Sequence, residues 1–138
     1  MDSIQKPLHP SVEGIWKDFL RGNLENSIRE PPASFYFCDN SKDADDCCEL
    51  VVQGIKQATA TSLWWFEKHG EALPQVGDQH IITNWNGDAR AIIETTKVVP
   101  TPYNKISAEF AEIEGEGDKS LAYWRKVHEA YFRREMAA

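Results

Sequence analysis

Two segments carry polar groups that local structure does not call for. The first is GIKQATAT, Gly54 to Thr61. If the chain runs extended after Gly54, Thr59 and Thr61 share one face, because side chains two apart in a strand point the same way. A turn at Gly54 would bring Lys56 round beside Thr59. A lysine next to a threonine hydroxyl is one of the few arrangements that activates a weak alcohol nucleophile without histidine. The plainer alternative is a solvated lysine among β-forming threonines. The second segment is AEIEGEGD, Ala111 to Asp118, which sets Glu112, Glu114, Glu116 and Asp118 just before a helix. Negative charge at a helix start is stabilised by about 0.3–1 kcal/mol per group, which accounts for Asp118 and Glu116. It does not account for Glu114, because Phe110, Ala111 and Ile113 look packed and would pull that stretch inward. The glycines flanking Glu116 allow a sharp turn there.

Other candidates are weaker. Trp64 and Trp65 are adjacent, so in a helix they point about 100° apart and only one need enter the core. The other, taken as Trp64, is free to stack a flat ring. His9, His69, His80 and His128 show no metal-ligand pairing, and His128 reads as a core histidine on the apolar face of the last helix. Cys38, Cys47 and Cys48 include no CxxC pair and read as buried free thiols, with neither a disulfide nor zinc expected. Magnesium accepts one or two carboxylates plus waters, but the acidic run matches no calcium loop. The expectation is therefore no metal and no cofactor. Arg125, Lys126, Arg133 and Arg134 read as the wet side of the last helix.

Composition bounds the possibilities. The chain has 138 residues, 41% of them hydrophobic, and a formal charge of −7. That length suits one domain with one core. The acidic balance argues against a surface that binds phosphate backbones nonspecifically. No apolar run is long enough for a membrane span, and the N-terminus lacks a secretory pattern, so a soluble, cytoplasmic protein is expected with no membrane partner.

Periodicity supplies the elements. His9–Pro10–Ser11 opens a helix with the stripe Val12, Ile15, Trp16, Phe19 and Leu20, stopped by Gly22. A polar connection over 23–32 leads to a short aromatic strand, SFYF, and Ser41 caps a second helix that ends at Gly54. SLWWFEKHG is a short helix closed by Gly70. QHIITNW and DARAIIETTKVV are joined at Asn86–Gly87, which predicts a hairpin with a two-residue type I′ turn. A short helix over Lys105–Glu112 and a final helix capped by Asp118 or Ser120 complete the chain. Helices around several short strands indicate an α+β fold with a small barrel or strongly curved sheet.

Taken together, the Gly54–Lys56–Thr59 pattern (GxKxxT), the hairpin ending in IIETTKV and the block EGEGDKSLAYWRKVH resemble the ASCH family, named for homology to the activating signal cointegrator. The resemblance runs from about Gly54 to Phe132. It implies a single domain over residues 1–138, with a helical N-terminal extension over about 1–30 and the motif-bearing region over 54–132. It also implies a PUA-like β-barrel of about five to six strands flanked by helices, with a cleft receiving the lysine and the acidic loop. Family members are linked to RNA binding, to RNA cleavage, and to amide hydrolysis of N4-acetylcytidine in small bacterial proteins. In those amidohydrolases a lysine, a threonine three residues on and a distant glutamate are catalytic, which maps to Lys56, Thr59 and Glu114, with Glu112 close enough to compete for the third role. The remaining substrate contacts would come from Thr61, Trp64, Glu112, Glu116 and Arg125.

Charge favours the amidohydrolase. A phosphodiester meets repulsion from the acidic loop, whereas a neutral acylated cytosine does not, and carboxylates accept hydrogen bonds from an exocyclic N4 hydrogen. The expected activity is removal of the N4-acyl group from an N4-acylated cytidine or cytosine. Thr59 would be the nucleophile, Lys56 the base and Glu114 its support. Lys56 as a cationic stabiliser of the oxyanion, with Glu114 as the base for Thr59 or for water, is the other division of labour. The alternative functions are single-stranded RNA binding and magnesium-dependent ribonuclease action. The partner is thus a nucleoside or nucleobase, with RNA possible, and oligomeric state is open.

Overall fold

The computed structural model describes residues 9–22 and 30–137. Its elements in chain order are α1 (Pro10–Arg21), β1 (Ser34–Phe35), α2 (Ser41–Val52), α3 (Leu63–His69), β2 (Gln79–Thr83), β3 (Ala89–Glu94), a 3-10 turn (Tyr103–Lys105), α4 (Ala108–Glu114) and α5 (Leu121–Ala137). Most of the polar connection expected over 23–32 lies outside the described residues, as does the part of the N-terminal extension before His9.

The fold is α+β. β2 lies at the centre of a three-stranded sheet, parallel to β1 and antiparallel to β3. Alternation along β2 sends successive isoleucines to opposite faces. Ile81 packs with Val12, Trp16 and Leu20 of α1, while Ile82 packs with Phe37, Cys47 and Cys48 on the α2 side. The sheet is therefore covered on both faces. It is open among the described residues, and five to six hydrogen-bonded strands are not present there. Residues 55–62 run without a sheet ladder, tied instead to α4 by the Gln57 N–H donating to Ile113 O at 2.9 Å. After Thr95, prolines at 100 and 102 remove the donors another ladder would need.

The hairpin forms, with a different turn. Asn84 N–H donates to Asp88 O at 3.0 Å and Gly87 N–H to Asn84 O at 3.1 Å, enclosing the three residues Trp85, Asn86 and Gly87. A type I′ turn needs positive φ at both central residues. Only Gly87, at φ 92, supplies it, so the loop takes the three-residue form. One cap sits one step from expectation, and α4 is shifted along the chain. Asn40 rather than Ser41 caps α2, its Oδ1 accepting from Asp43 N at 2.9 Å. Ser107 caps α4, which starts and ends later than the sequence suggested. No helix among the described residues is long and apolar enough to cross a membrane.

Candidate active site

Glu114 is the last residue of α4, where the negative end of the helix dipole disfavours a carboxylate. It is nonetheless 1% exposed, so specific partners must hold it. Trp124 Nε1 donates to Glu114 Oε1 at 3.1 Å, and Lys56 Nζ and His128 Nε2 lie 3.4 and 3.5 Å from Oε2. Trp124 and His128 are one helical turn apart on α5, with rings stacked at 4.0 Å and 13°. Nδ1 of His128 faces Trp124 O at 2.9 Å, so it carries the hydrogen and presents Nε2 to Glu114.

Lys56 follows the turn at the end of α2 and points inward at 6% exposure. Its three N–H groups are all engaged: Ala58 O at 2.8 Å, and Glu114 Oε2 and Glu116 Oε2 both at 3.4 Å. The two carboxylate contacts are longer than the 2.7–2.9 Å of a strong charge-assisted bond, so either yields readily to a better acceptor. Nζ also sits 5.2 Å from the centre of the Phe37 ring.

Glu116 turns back into this cluster rather than serving the start of α5. Gly115, at φ 74, reverses the chain directly after Glu114, and Cys47 Sγ donates to Glu116 Oε1 at 3.0 Å. The start of α5 is handled by Ser120, which accepts from Tyr123 N at 3.0 Å, with Asp118 accepting from Ser120 N at 2.8 Å.

The electrostatics divide the two carboxylates. Burial alone would raise the pKa of Glu114, but hydrogen bonds from His128 and Glu116 and the charge of Lys56 bring it down to about 2. Glu116 is raised, by burial and by its hydrogen bond with Glu114, despite the charge of Lys56. Burial works against the charge on Lys56, yet Glu114 and Glu116 outweigh it and raise the lysine. Lys56 is therefore an ammonium at neutral pH.

Of the residues the sequence singled out, Lys56, Glu114 and Glu116 come together. Thr59 and Thr61 are exposed on the irregular segment beside them, and neither side chain hydrogen-bonds to the cluster among the described residues. Trp64 is half-buried with Lys68 Nζ 4.8 Å over its ring, while Trp65 enters the core. Glu112 and Arg125 are exposed, and the Arg125 carbonyl accepts from the Tyr103 hydroxyl at 2.9 Å. Sequence reasoning missed His128, Trp124 and Cys47 as members of the site. The available signal was the WRxxH spacing, which places Trp124 and His128 on one helical face.

A buried lysine–carboxylate cluster, closed by helices against a small sheet and bordered by a threonine-bearing segment, defines a domain of the PUA-like α+β class. The chain belongs to the ASCH domain family, whose model matches residues 33–138. It is similar to the crystal structure of an ASCH domain from Lactobacillus crispatus JV V101, with a TM-score of 0.85 and 35% identity over 96% of this chain and 84% of that one. It is also similar to the structure of a protein from Enterococcus faecalis V583, with a TM-score of 0.82 and 36% identity over 92% of this chain and 76% of that one. Coverage of 96% leaves too few residues outside the match to omit the N-terminal helix, so α1 is shared with that solved relative. Curated proteins gave no match.

Proposed function

We propose that the protein is an amidohydrolase that removes the acyl group from N4-acylated cytidine or cytosine. The observation that carries this reading is the buried Lys56 ammonium between Glu114 and Glu116, bonded to Ala58 O directly before Thr59. It supports the cationic role for Lys56 in the second division of labour considered above, with the base moved from Glu114, which is held low, to Glu116. Lys56 is held as a cation, so it serves as the stabiliser of the oxyanion, the substrate carbonyl displacing one of the long carboxylate contacts. Thr59 Oγ attacks the acyl carbonyl, and Glu116, the carboxylate with the raised pKa, takes the hydroxyl proton and delivers it to the leaving cytosine nitrogen. Glu114 holds Lys56 and His128 in place. Water then attacks the acyl-threonine ester and releases the acid. A partly exposed Trp64 ring beside the segment offers a stacking surface for the base once Lys68 moves aside.

One observation favours a second reading. Ligand atoms of Glu114, Glu116 and His128 all lie within 4.8 Å of one another, a grouping compatible with a divalent ion and hence with magnesium-dependent cleavage of single-stranded RNA. The engagement of Glu114 by Lys56, Trp124 and His128 weighs against it. The deciding experiment incubates chelator-treated protein with N4-acetylcytidine and longer N4-acyl analogues and follows ultraviolet absorbance. Release of cytidine without metal is expected. No turnover of any analogue, together with magnesium-dependent RNA cleavage, would replace this reading with the second.

A further inference from the structure

On the side of Glu116 away from Lys56 lies a group of side chains that amide hydrolysis does not use. Cys38 Sγ and Cys47 Sγ are 3.9 Å apart, Cys47 Sγ is 3.0 Å from Glu116 Oε1, and all three ligand atoms lie within 4.8 Å of one another. We propose that Cys38, Cys47 and Glu116 form a three-ligand site for a thiophilic divalent cation, zinc above all, with a fourth position left to water or another exogenous ligand.

Geometry carries the case. Tetrahedral zinc with Zn–S bonds of about 2.3 Å holds two sulfurs roughly 3.8 Å apart, which is the spacing found here. With a Zn–O bond of about 2.0 Å, the sulfur–oxygen distance becomes roughly 3.5 Å, so Glu116 backs off from Cys47 by about 0.5 Å. The cysteines are also held for the purpose. Cys38 adopts φ 66, a conformation that costs a non-glycine residue energy and that the surroundings must enforce. They do so from both sides: Arg134 of α5 binds Asp39 at 2.9 Å, and Asn40 caps α2. Cys47 is fixed on α2 at 4% exposure.

The charges are compatible. On binding, one proton leaves each thiol for water and two Zn–S bonds form. Two thiolates and one carboxylate leave the site with a single net negative charge around the dication. Lys56, 3.4 Å from the other oxygen of Glu116, lies opposite that charge. Two thiolates select zinc over magnesium or calcium. The site shares Glu116 with the proposed catalytic cluster but does not depend on the amidohydrolase reading, because occupancy is measured without any substrate.

The test is a cobalt and zinc titration of the full chain, purified with chelator and kept reduced with a phosphine. One equivalent of cobalt should give thiolate-to-cobalt charge-transfer bands and tetrahedral d–d bands, which zinc abolishes. Cys38→Ser should lose a large part of the charge-transfer intensity, leaving only that of Cys47, and weaken binding by more than the roughly 10- to 100-fold that a partner behind a ligand is worth. Glu116→Gln should keep thiolate bands at lower affinity, and Cys48→Ala should bind as the wild type does. Cys47 is buried, so if Cys47→Ser fails to fold, the half-buried Cys38 carries the test. Reduced, folded wild type without thiolate–cobalt bands, or Cys38→Ser that binds cobalt like the wild type, overturns the proposal.

Discussion

Lys56 Nζ lies 3.4 Å from Glu114 Oε2, with the two side chains 3% and 1% exposed and 58 positions apart in the chain. A buried pair of this kind adds little net stability over an apolar replacement, but breaking it from one side is costly, about 3–5 kcal/mol, because it strands the partner's charge. Glu114→Ala would take from Lys56 one of its two carboxylates, remove the carboxylate beside His128 Nε2, and leave the Trp124 N–H without its acceptor. It should lower the unfolding free energy by about 3 kcal/mol or more, measured by urea denaturation. Glu114→Gln keeps an acceptor for Trp124 and should lose less. Equal, small losses in both variants would show that the pair does not hold the site.

Thr59 gives the opposite profile, because it is exposed and without a hydrogen bond among the described residues. Thr59→Ala should change stability by no more than about 0.5 kcal/mol while removing N4-acylcytidine turnover. Thr59→Ser should retain a measurable fraction. The check is kcat and urea midpoint on the same preparations. Full turnover in Thr59→Ala would remove Thr59 from the nucleophile's role.

What the sequence made legible was local. The α1 stripe, the hairpin and the Gly70 stop could be read because their determinants lie within a few residues of one another. The turn type was missed because Asn86 does not take the positive φ that an Asn-Gly pair suggests. The five to six strands expected are not formed among the described residues, where 55–62, despite their threonines, find no ladder partner and bond instead to the end of α4. Lys56 and Glu114 came together on paper only through family resemblance, since no spacing rule joins residues 58 apart. The Cys38–Cys47–Glu116 group was invisible for the same reason: motif spacing detects ligands on one segment, and these come from three.

Gly115 sets how Glu114 and Glu116 face the same lysine. A Cβ there would stand 2.7 Å from the backbone oxygen of Ile55, on top of the left-handed φ of 74. Backbone cannot swing aside as a side-chain end can, so Gly115→Ala should cost roughly 1–3 kcal/mol from conformation alone. It should also depress turnover by shifting both carboxylates. Gly14→Ala, in the middle of α1 with nothing within 4 Å, should instead be neutral or stabilising by about 0.5–1 kcal/mol. Thermal melts of the two variants compare them directly, and a Gly115→Ala protein as stable and active as the wild type would mean that the reversal tolerates a side chain.

His128 makes stability depend on pH in a direction set by its partner. Burial opposes its charge, but the hydrogen bond and charge of Glu114 outweigh burial and raise the pKa above 6.5. For a basic group raised on folding, the folded state holds the proton more tightly than the unfolded state does. The stabilisation is therefore complete below the unfolded value of about 6.5 and is lost as pH rises through the folded value. Wild-type stability should decline across that window. His128→Asn cannot titrate there, so its curve should lack that component. Urea midpoints at closely spaced pH values, in chelator to keep the protein metal-free, give both curves. Parallel curves through the window would show that Glu114 does not hold His128 as a cation, and the carboxylate would then be restrained by Lys56 and Trp124 alone.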